Sequence, residues 1–168
     1  MPSRLSTAAV VFGLLLVPAL ALAGQKWQPY VNDRFGVRAD IPQGWVSGQP
    51  PENNDGLRWT SPDGTAQVAV WGGFQIEDGV DDAFKTVSEP NGGETITFKA
   101  RGKQALVISG FKGENIFYRR LVLSCKNSVW NGVEITYPKA KKAEFDPIVS
   151  HIAASLKPGI GYNNPDCK

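Results

Sequence analysis

The chain has 168 residues, with 18 lysine and arginine residues against 16 aspartate and glutamate residues, so its formal net charge is only +2. A charge this close to zero gives no electrostatic basis for binding nucleic acid, which requires clustered basic side chains opposite the phosphates. The one dense basic group, Lys139, Lys141 and Lys142, is interpreted as a solvated segment. Nucleic acid is therefore excluded as an expected partner.

The N-terminal residues have the pattern of a secretory signal. Arg4 is followed by an uncharged stretch over residues 8–22, which closes on Ala21-Leu22-Ala23. Small residues at the first and third positions of this triplet fit a signal peptidase, whereas a membrane anchor usually needs about 20 apolar residues with polar flanks. We expect cleavage after Ala23, with an uncleaved anchor as the alternative. The mature chain, residues 24–168, would then be a single periplasmic or secreted domain without a membrane span.

The first half of the mature chain predicts short strands. Two of them, 37–41 and 45–47, flank Pro42-Gln43-Gly44. The segments 57–60 and 66–71 flank Ser61-Pro62-Asp63-Gly64, in which the proline fixes φ for a turn and the glycine accepts a positive φ. We expect a hairpin there. A short helix follows at about 82–87, with the Asp81 carboxylate as its predicted cap.

The second half predicts four more strands and a closing helix. The strands are expected at 94–99, 105–109, 116–125 and 129–137. Asn131-Gly132 within the last of them indicates either a bulge or a second turn. Asp146-Pro147 has the pattern of a helix start, and Ile148, Ile152 and Leu156 then recur every four residues as one buried stripe. Strands followed by a terminal helix indicate an α+β fold with an antiparallel sheet.

Cys125 and Cys167 are the two cysteines of the chain. An oxidising compartment favours a disulfide, and two cysteines allow a single internal pairing. The alternative is a pair of free thiols, but a catalytic thiol needs a nearby base and the chain has one histidine. We predict a structural disulfide that ties the C-terminal tail to the body of the domain.

The opening of the mature chain resembles that of PsbP-like domains, in which an aromatic residue, an aromatic-Gly pair and a Pro-x-Gly-Trp turn mark the first two strands. The matching residues here are Tyr30, Phe35-Gly36-Val37 and Ile41-Pro42-x-Gly44-Trp45. The helix predicted to end at Ser155-Leu156 is similar to the last helix of that family. A further stretch, Trp59-x-Ser61-Pro62-Asp63-Gly64-x-Ala66, is similar to one in exported bacterial proteins.

The resemblance implies an αβα sandwich, with an antiparallel sheet of about six strands between helices. It also implies an accessory or binding module on a larger protein assembly. The best-known PsbP-like proteins are extrinsic subunits of photosystem II, and a relative by fold binds the small GTPase Ran. No metal-binding or partner-binding residue of those proteins matches a position of this chain, so the resemblance implies a class of function and no particular partner.

Catalytic chemistry has little support in the sequence. His151, the sole histidine, could act as a general base beside a serine or a carboxylate, but no motif places a nucleophile near it. The four carboxylates within residues 77–82 lack the spacing of a calcium loop, and one histidine with two cysteines does not make a zinc site. Glycine-rich nucleotide-binding motifs are absent. We predict no enzyme, no metal and no cofactor, with a small extracytoplasmic hydrolase using His151 as the alternative.

The predicted binding residues are Trp71, Arg119 and Arg120. Strand alternation puts Trp71 on the face opposite Val68 and Val70, where it lies either under a helix or open to a ligand or partner. Successive residues point to opposite faces, so only one of the two arginines can share the face of Trp71. We expect an exported, non-enzymatic binding or accessory module that acts on an envelope protein assembly or ligand.

Overall fold

The structure, a computed structural model, describes residues 24–159 and Cys167. The predicted signal at residues 1–23 lies outside this range. The described part of the chain contains nine strands and two α-helices, in the order β1 (Trp27–Val31), β2 (Arg38–Pro42), β3 (Val46–Ser47), β4 (Gly56–Thr60), β5 (Gln67–Phe74), α1 (Val80–Val87), β6 (Glu94–Arg101), β7 (Ala105–Lys112), β8 (Asn115–Ser124), β9 (Val129–Pro138) and α2 (Lys142–Ser155).

Seven of these strands form one antiparallel sheet in the order β3-β4-β5-β9-β8-β7-β6, and β1 and β2 form a separate hairpin. The predicted α+β class with an antiparallel sheet is therefore confirmed, with seven strands in place of about six. The predicted hairpin is β4–β5, in which Arg58 pairs with Ala69. Gly64 has a φ of +73° and its N–H donates to the Ser61 carbonyl at 2.8 Å, as the turn requires.

Each face of the sheet carries its own apolar cluster. The face with Val68 and Val70 packs against α2 and the β1–β2 hairpin, and we call it the α2 face. The opposite face packs Leu106, Ile108 and Leu121 against α1, and we call it the α1 face. α2 has 14 residues and α1 has 8, so the two faces receive very different helical cover.

The predicted start of α2 is wrong, because the helix begins at Lys142 and Pro147 lies inside it. Proline has no N–H, so its presence removes one backbone hydrogen bond from the helix. The residues before it stay helical because Phe145 is buried and stacks on Tyr137, with 5.1 Å between the ring centroids. This tertiary contact stabilises the first turn of α2, although Pro147 locally favours a later helix start.

The predicted cap of α1 is also wrong. Gly79 occupies the cap position and no side chain bonds there, while Asp81 lies in the first turn. The Asp81 carboxylate forms an ion pair with Arg101 of β6 instead. The Arg101 guanidinium also lies 4.4 Å from the centre of the Phe84 ring. The Asp81 carboxylate, which the sequence predicted as the cap of α1, is therefore bound to Arg101 of the sheet.

Asn131-Gly132 is neither a bulge nor a turn. β9 pairs with β5 and with β8 in unbroken register through both residues. The buried Asn131 amide donates to the Val122 carbonyl at 3.2 Å, and its oxygen accepts the N–H of Gly159 at 3.1 Å. This side chain therefore holds the residues that follow α2 against the sheet.

The predicted disulfide is present between Cys125 and Cys167, whose α-carbons lie 4.1 Å apart across a sequence separation of 42 residues. Cys125 follows β8 directly, so the bond ties the end of the chain to the β8–β9 turn. Among the described residues, no helix has the length and apolar character needed to cross a membrane.

Candidate functional site

Trp71 lies in β5 on the α1 face, directly between two glycines of the neighbouring strands. It pairs with Gly56 in β4 and with Gly132 in β9. A β-carbon added at Gly132 would come within 2.6 Å of the indole atom Cε2, and one at Gly56 within 2.7 Å of the Trp71 Cβ. A larger residue at Gly132 would therefore displace the indole, and one at Gly56 would push against the β5 backbone at Val70 and Trp71. The sequence analysis did not consider Gly56 and interpreted Gly132 as part of a bulge or a turn, although a glycine inside a strand is also a known sign of close approach.

The helix covers only part of Trp71. The indole packs against the cluster beneath α1, yet it stays half-buried and borders two open clefts. The first cleft, of about 420 Å³, lies towards β4 and the preceding loop and includes Pro51, Asp55 and Arg58. The second cleft, of about 370 Å³, lies between Trp71 and Arg119 on the sheet and residues 86, 87 and 89–91 at the end of α1. Trp71 is thus the wall that both clefts share.

Arg119 lies at the floor of the second cleft in a paired, largely buried state. Its Nε donates to Glu134 Oε2 at 2.5 Å and its Nη2 to Glu94 Oε1 at 2.9 Å, while the Arg119 and Glu94 side chains are only 12% and 5% exposed. Burial alone would lower the pKa of Arg119, but the two carboxylates outweigh it and raise the pKa. The group carries one positive and two negative charges.

Arg120 occupies the opposite face. Its guanidinium donates to the carbonyl of Ala153 in α2 and so links that helix to β8. The structure therefore brings Trp71 and Arg119 together and leaves Arg120 away from both clefts. This is the division between the two arginines that strand alternation predicted.

His151 lies on α2 beside a carboxylate that the sequence did not identify. Its Nε2 is 2.8 Å from Asp40 Oδ2, and its ring stacks on Trp27 with 3.7 Å between centroids. Ser155 is close by, because its hydroxyl oxygen accepts the Asp40 N–H at 2.9 Å. The Ser155 hydroxyl itself donates to the Ile152 carbonyl, and no hydrogen bond joins His151 to a serine in the described range. An Asp–His pair is present without an aligned nucleophile.

The basic segment near the end of the sheet is neutralised by carboxylates. Lys139 lies 3.6 Å from Glu114, Lys142 lies 2.7 Å from Asp146, and Lys141 bonds to Asp63. The Lys141 hydrogen bond lowers the pKa of the Asp63 carboxyl. These pairs leave no concentrated positive surface at the three lysines. Residues 24–159 and Cys167 also contain no group of three or more histidine, cysteine or acidic side chains placed to hold a metal ion.

Comparison with known proteins defines the class of fold. No protein-family model matches the sequence, and no curated protein matches it. The fold is shared with cyanobacterial PsbP (CyanoP) from Synechocystis, with a TM-score of 0.56 and 10% identity over 82% of this chain and 95% of that one. It is also shared with the Ran-binding protein Mog1p of Saccharomyces cerevisiae, with a TM-score of 0.56 and 7% identity over 79% and 95% of the two chains. At these identities the comparison establishes the fold alone.

We expect Arg119→Met to lower the free energy of unfolding by about 3–5 kcal/mol, because it leaves the buried Glu94 carboxylate without a cation. The double variant Arg119→Met/Glu94→Gln should recover part of this loss. Arg120→Met is the matched control: it should lose stability through its contact with α2 and gain nothing from Glu94→Gln. Urea denaturation of the wild type, the single variants Arg119→Met, Arg120→Met and Glu94→Gln, and the two double variants measures the coupling. The absence of any recovery in Arg119→Met/Glu94→Gln would contradict the pairing.

Proposed function

We propose that this chain is an exported, non-enzymatic binding or accessory module whose α1 face docks onto another protein of the cell envelope. The observation that carries the proposal is Trp71, which is fixed between Gly56 and Gly132 and has an open cleft on each side. Large aromatic side chains dominate the energy of protein interfaces when a partner desolvates them. Trp71 is the anchor of the proposed interface.

The clefts are suited to receiving side chains. Their volumes of about 420 and 370 Å³ fall within the range of small binding sites. The Trp71 ring lies close against Gly132 and packs against the α1 cluster. Binding then costs little side-chain entropy at the anchor, which favours affinity.

The shared fold supports a binding role without identifying a partner. One of the structures with this fold is described as a Ran-binding protein and another as PsbP. A fold hosts many functions, so the role must come from the site on this chain. Neither Ran nor a photosystem is proposed here as the partner.

Two features of the chain support export. The uncharged stretch of residues 8–22 ends in Ala21-Leu22-Ala23, and the domain contains the Cys125–Cys167 disulfide. Disulfides persist in oxidising compartments and are rare in the cytosol. A periplasmic or secreted location accounts for both.

The second candidate function is a small hydrolase, and the His151–Asp40 pair is the observation that favours it. A carboxylate that orients a histidine is one part of a nucleophilic site. The neighbouring hydroxyl of Ser155 donates to the Ile152 carbonyl, so it would have to rotate before His151 could accept its proton. The binding module remains the better proposal because its site needs no rearrangement.

We expect Trp71→Leu to weaken binding to an envelope partner identified by cross-linking by about 2 kcal/mol, roughly thirtyfold. Leucine keeps apolar contact with the cluster beneath α1 but loses the aromatic surface. Trp45→Leu is the matched control, since Trp45 is a half-buried tryptophan that packs against Phe145 on the α2 face. Partner capture is titrated for each variant. Equal affinities for the two variants and the wild type would overturn the role of Trp71.

The exported protein should begin at Gly24 and contain no free thiol, because the signal is removed after Ala23 and the two cysteines pair. The intact mass of protein recovered from the envelope fraction should equal residues 24–168 less the two hydrogens lost on disulfide formation. A full-length mass in the membrane fraction, or a mass with both thiols retained, would contradict the prediction.

His151→Ala should leave partner capture unchanged, because His151 lies on the α2 face with Asp40 and Trp27, away from both clefts. The wild type should also release no product from activated ester substrates above the buffer rate. If the wild type does hydrolyse an ester, and His151→Ala lowers kcat/KM a hundredfold or more with the fold retained, the hydrolase is the correct function.

A further inference from the structure

The indole of Trp71 fills the space on only one of its two sides. It lies over Gly132 in β9, where an added β-carbon would meet its Cε2 and Cζ2 atoms at 2.6 and 2.7 Å. On the other side, the three atoms nearest to a β-carbon at Gly56 would be the Val70 carbonyl oxygen and the Cα and Cβ of Trp71. The first cleft, of about 420 Å³, lies on this Gly56 side. A glycine within a strand is a place where another chain can approach closely.

The backbone of Gly56 points to the outer edge of β4. The Gly72 N–H of β5 donates to the Asp55 carbonyl at 2.8 Å, so Asp55 directs its backbone groups towards β5. Successive residues of a strand direct these groups to opposite sides, and the N–H and C=O of Gly56 therefore point away from β5. β3 and the glycine after it cover this edge only as far as Gly48, whose N–H donates to the Arg58 carbonyl at 2.8 Å.

Gly56 is therefore a buried residue with a peptide donor and acceptor directed to an uncovered edge. Within residues 24–159 and Cys167, neither its N–H nor its C=O forms a hydrogen bond with the protein. Buried backbone groups in native proteins are almost always paired, so these two groups indicate a further binding partner. The chemistry complementary to the N–H and C=O of one strand residue is another extended peptide, which adds to the sheet as a new strand.

The first cleft also determines which side chain such a peptide can bring. A residue that pairs with Gly56 has its side chain on the α1 face, because directly paired residues share a face. Gly56 has no side chain in the way, so a large apolar side chain can cross the glycine and contact Trp71, as aromatic residues do across glycines at sheet edges. Ala69 is small and leaves this side of the cleft open. Asp55 and Arg58 contribute one charge of each sign to the lining, so the charges favour no charged occupant.

We propose that the outer edge of β4 receives an extended segment of the partner protein, which pairs with Gly56 through its main chain and places a large apolar side chain against Trp71 in the first cleft. The proposal rests on the proposed function and specifies how the partner is bound. The other edge of the sheet, β6, is less suited to an added strand, because a register shift interrupts it and Lys99 and Arg101 lie on it.

The test is an NMR titration of the mature protein, labelled with ¹⁵N, with three peptides acetyl-Ser-Thr-X-Thr-Ser-amide in which X is phenylalanine, alanine or N-methylphenylalanine. The phenylalanine peptide should shift the Gly56 amide and the Trp71 indole N–H. Alanine removes the apolar contact, and N-methylation removes the N–H that donates to the Gly56 carbonyl, so each change should weaken binding at least tenfold.

Hydrogen exchange measures the pairing of Gly56 directly. In the free protein the Gly56 amide should exchange with solvent faster than the Leu57 amide, which belongs to the β4–β5 ladder. Saturation with the phenylalanine peptide should slow the exchange of Gly56 at least fivefold.

Equal binding of the N-methylated peptide would overturn the main-chain pairing, and equal binding of the alanine peptide would overturn the apolar contact. Shifts confined to the amides of β6 would overturn the choice of edge. A Gly56 amide as protected as that of Leu57 in the free monomer would show that the edge is already paired. Protection that appears only as the protein concentration rises would assign the edge to a second copy of the chain in place of a partner.

Partner capture separates this proposal from the function on which it rests. Ala69→Leu fills the first cleft and should weaken capture at least tenfold, whereas the matched control Ala100→Leu, at an exposed position of β6, should not. Loss of capture with Trp71→Leu but not with Ala69→Leu would reject the first cleft and keep the binding face. Full capture by both variants would reject the binding face itself.

Discussion

The contact on which the α1 face depends is the close approach of Trp71 to the backbone of Gly132. Cross-strand register puts Gly56 and Gly132 on either side of the tryptophan, and neither position has room for a β-carbon. The indole can therefore lie against β9 and still form a wall of both clefts. A side chain at Gly132 would displace the ring, and the two clefts would lose their common wall; one at Gly56 would push against the β5 backbone that carries Trp71.

The same face also carries a largely buried ion-pair cluster. Arg119 neutralises only one of the two carboxylates that it contacts, and it does so where little water can screen the charges. Glu94 reaches Arg119 from β6, two strands away, because the β6–β7 register shifts between Ile96 and Phe98. The bulge thus brings a second carboxylate to a site that flat pairing would have supplied with one. The opposite face is covered by α2 and the β1–β2 hairpin.

Local sequence determined most of the framework. Strand alternation was sufficient to predict the strands, and the turn at residues 61–64 was sufficient to predict the hairpin, because both depend on neighbouring residues. Counting was sufficient to predict the disulfide, because two cysteines allow one internal pairing. The start of α2 could not be predicted in this way. Asp146-Pro147 is a correct local signal for a helix start, and burial of Phe145 against Tyr137 overrides it. Propensity is a weak preference that tertiary packing can reverse.

For the candidate site too, the sequence predicted some features and the tertiary structure alone showed the others. Alternation alone separated Arg119 from Arg120 and put Trp71 opposite Val68 and Val70, because the side chains of a strand point to opposite faces in a fixed period of two residues. The partners of those residues came only from the tertiary structure. Glu94 is 25 residues from Arg119, and Asp40 is 111 residues from His151. Such contacts leave no periodic trace in the sequence, since they arise from how strands and helices pack after each has formed.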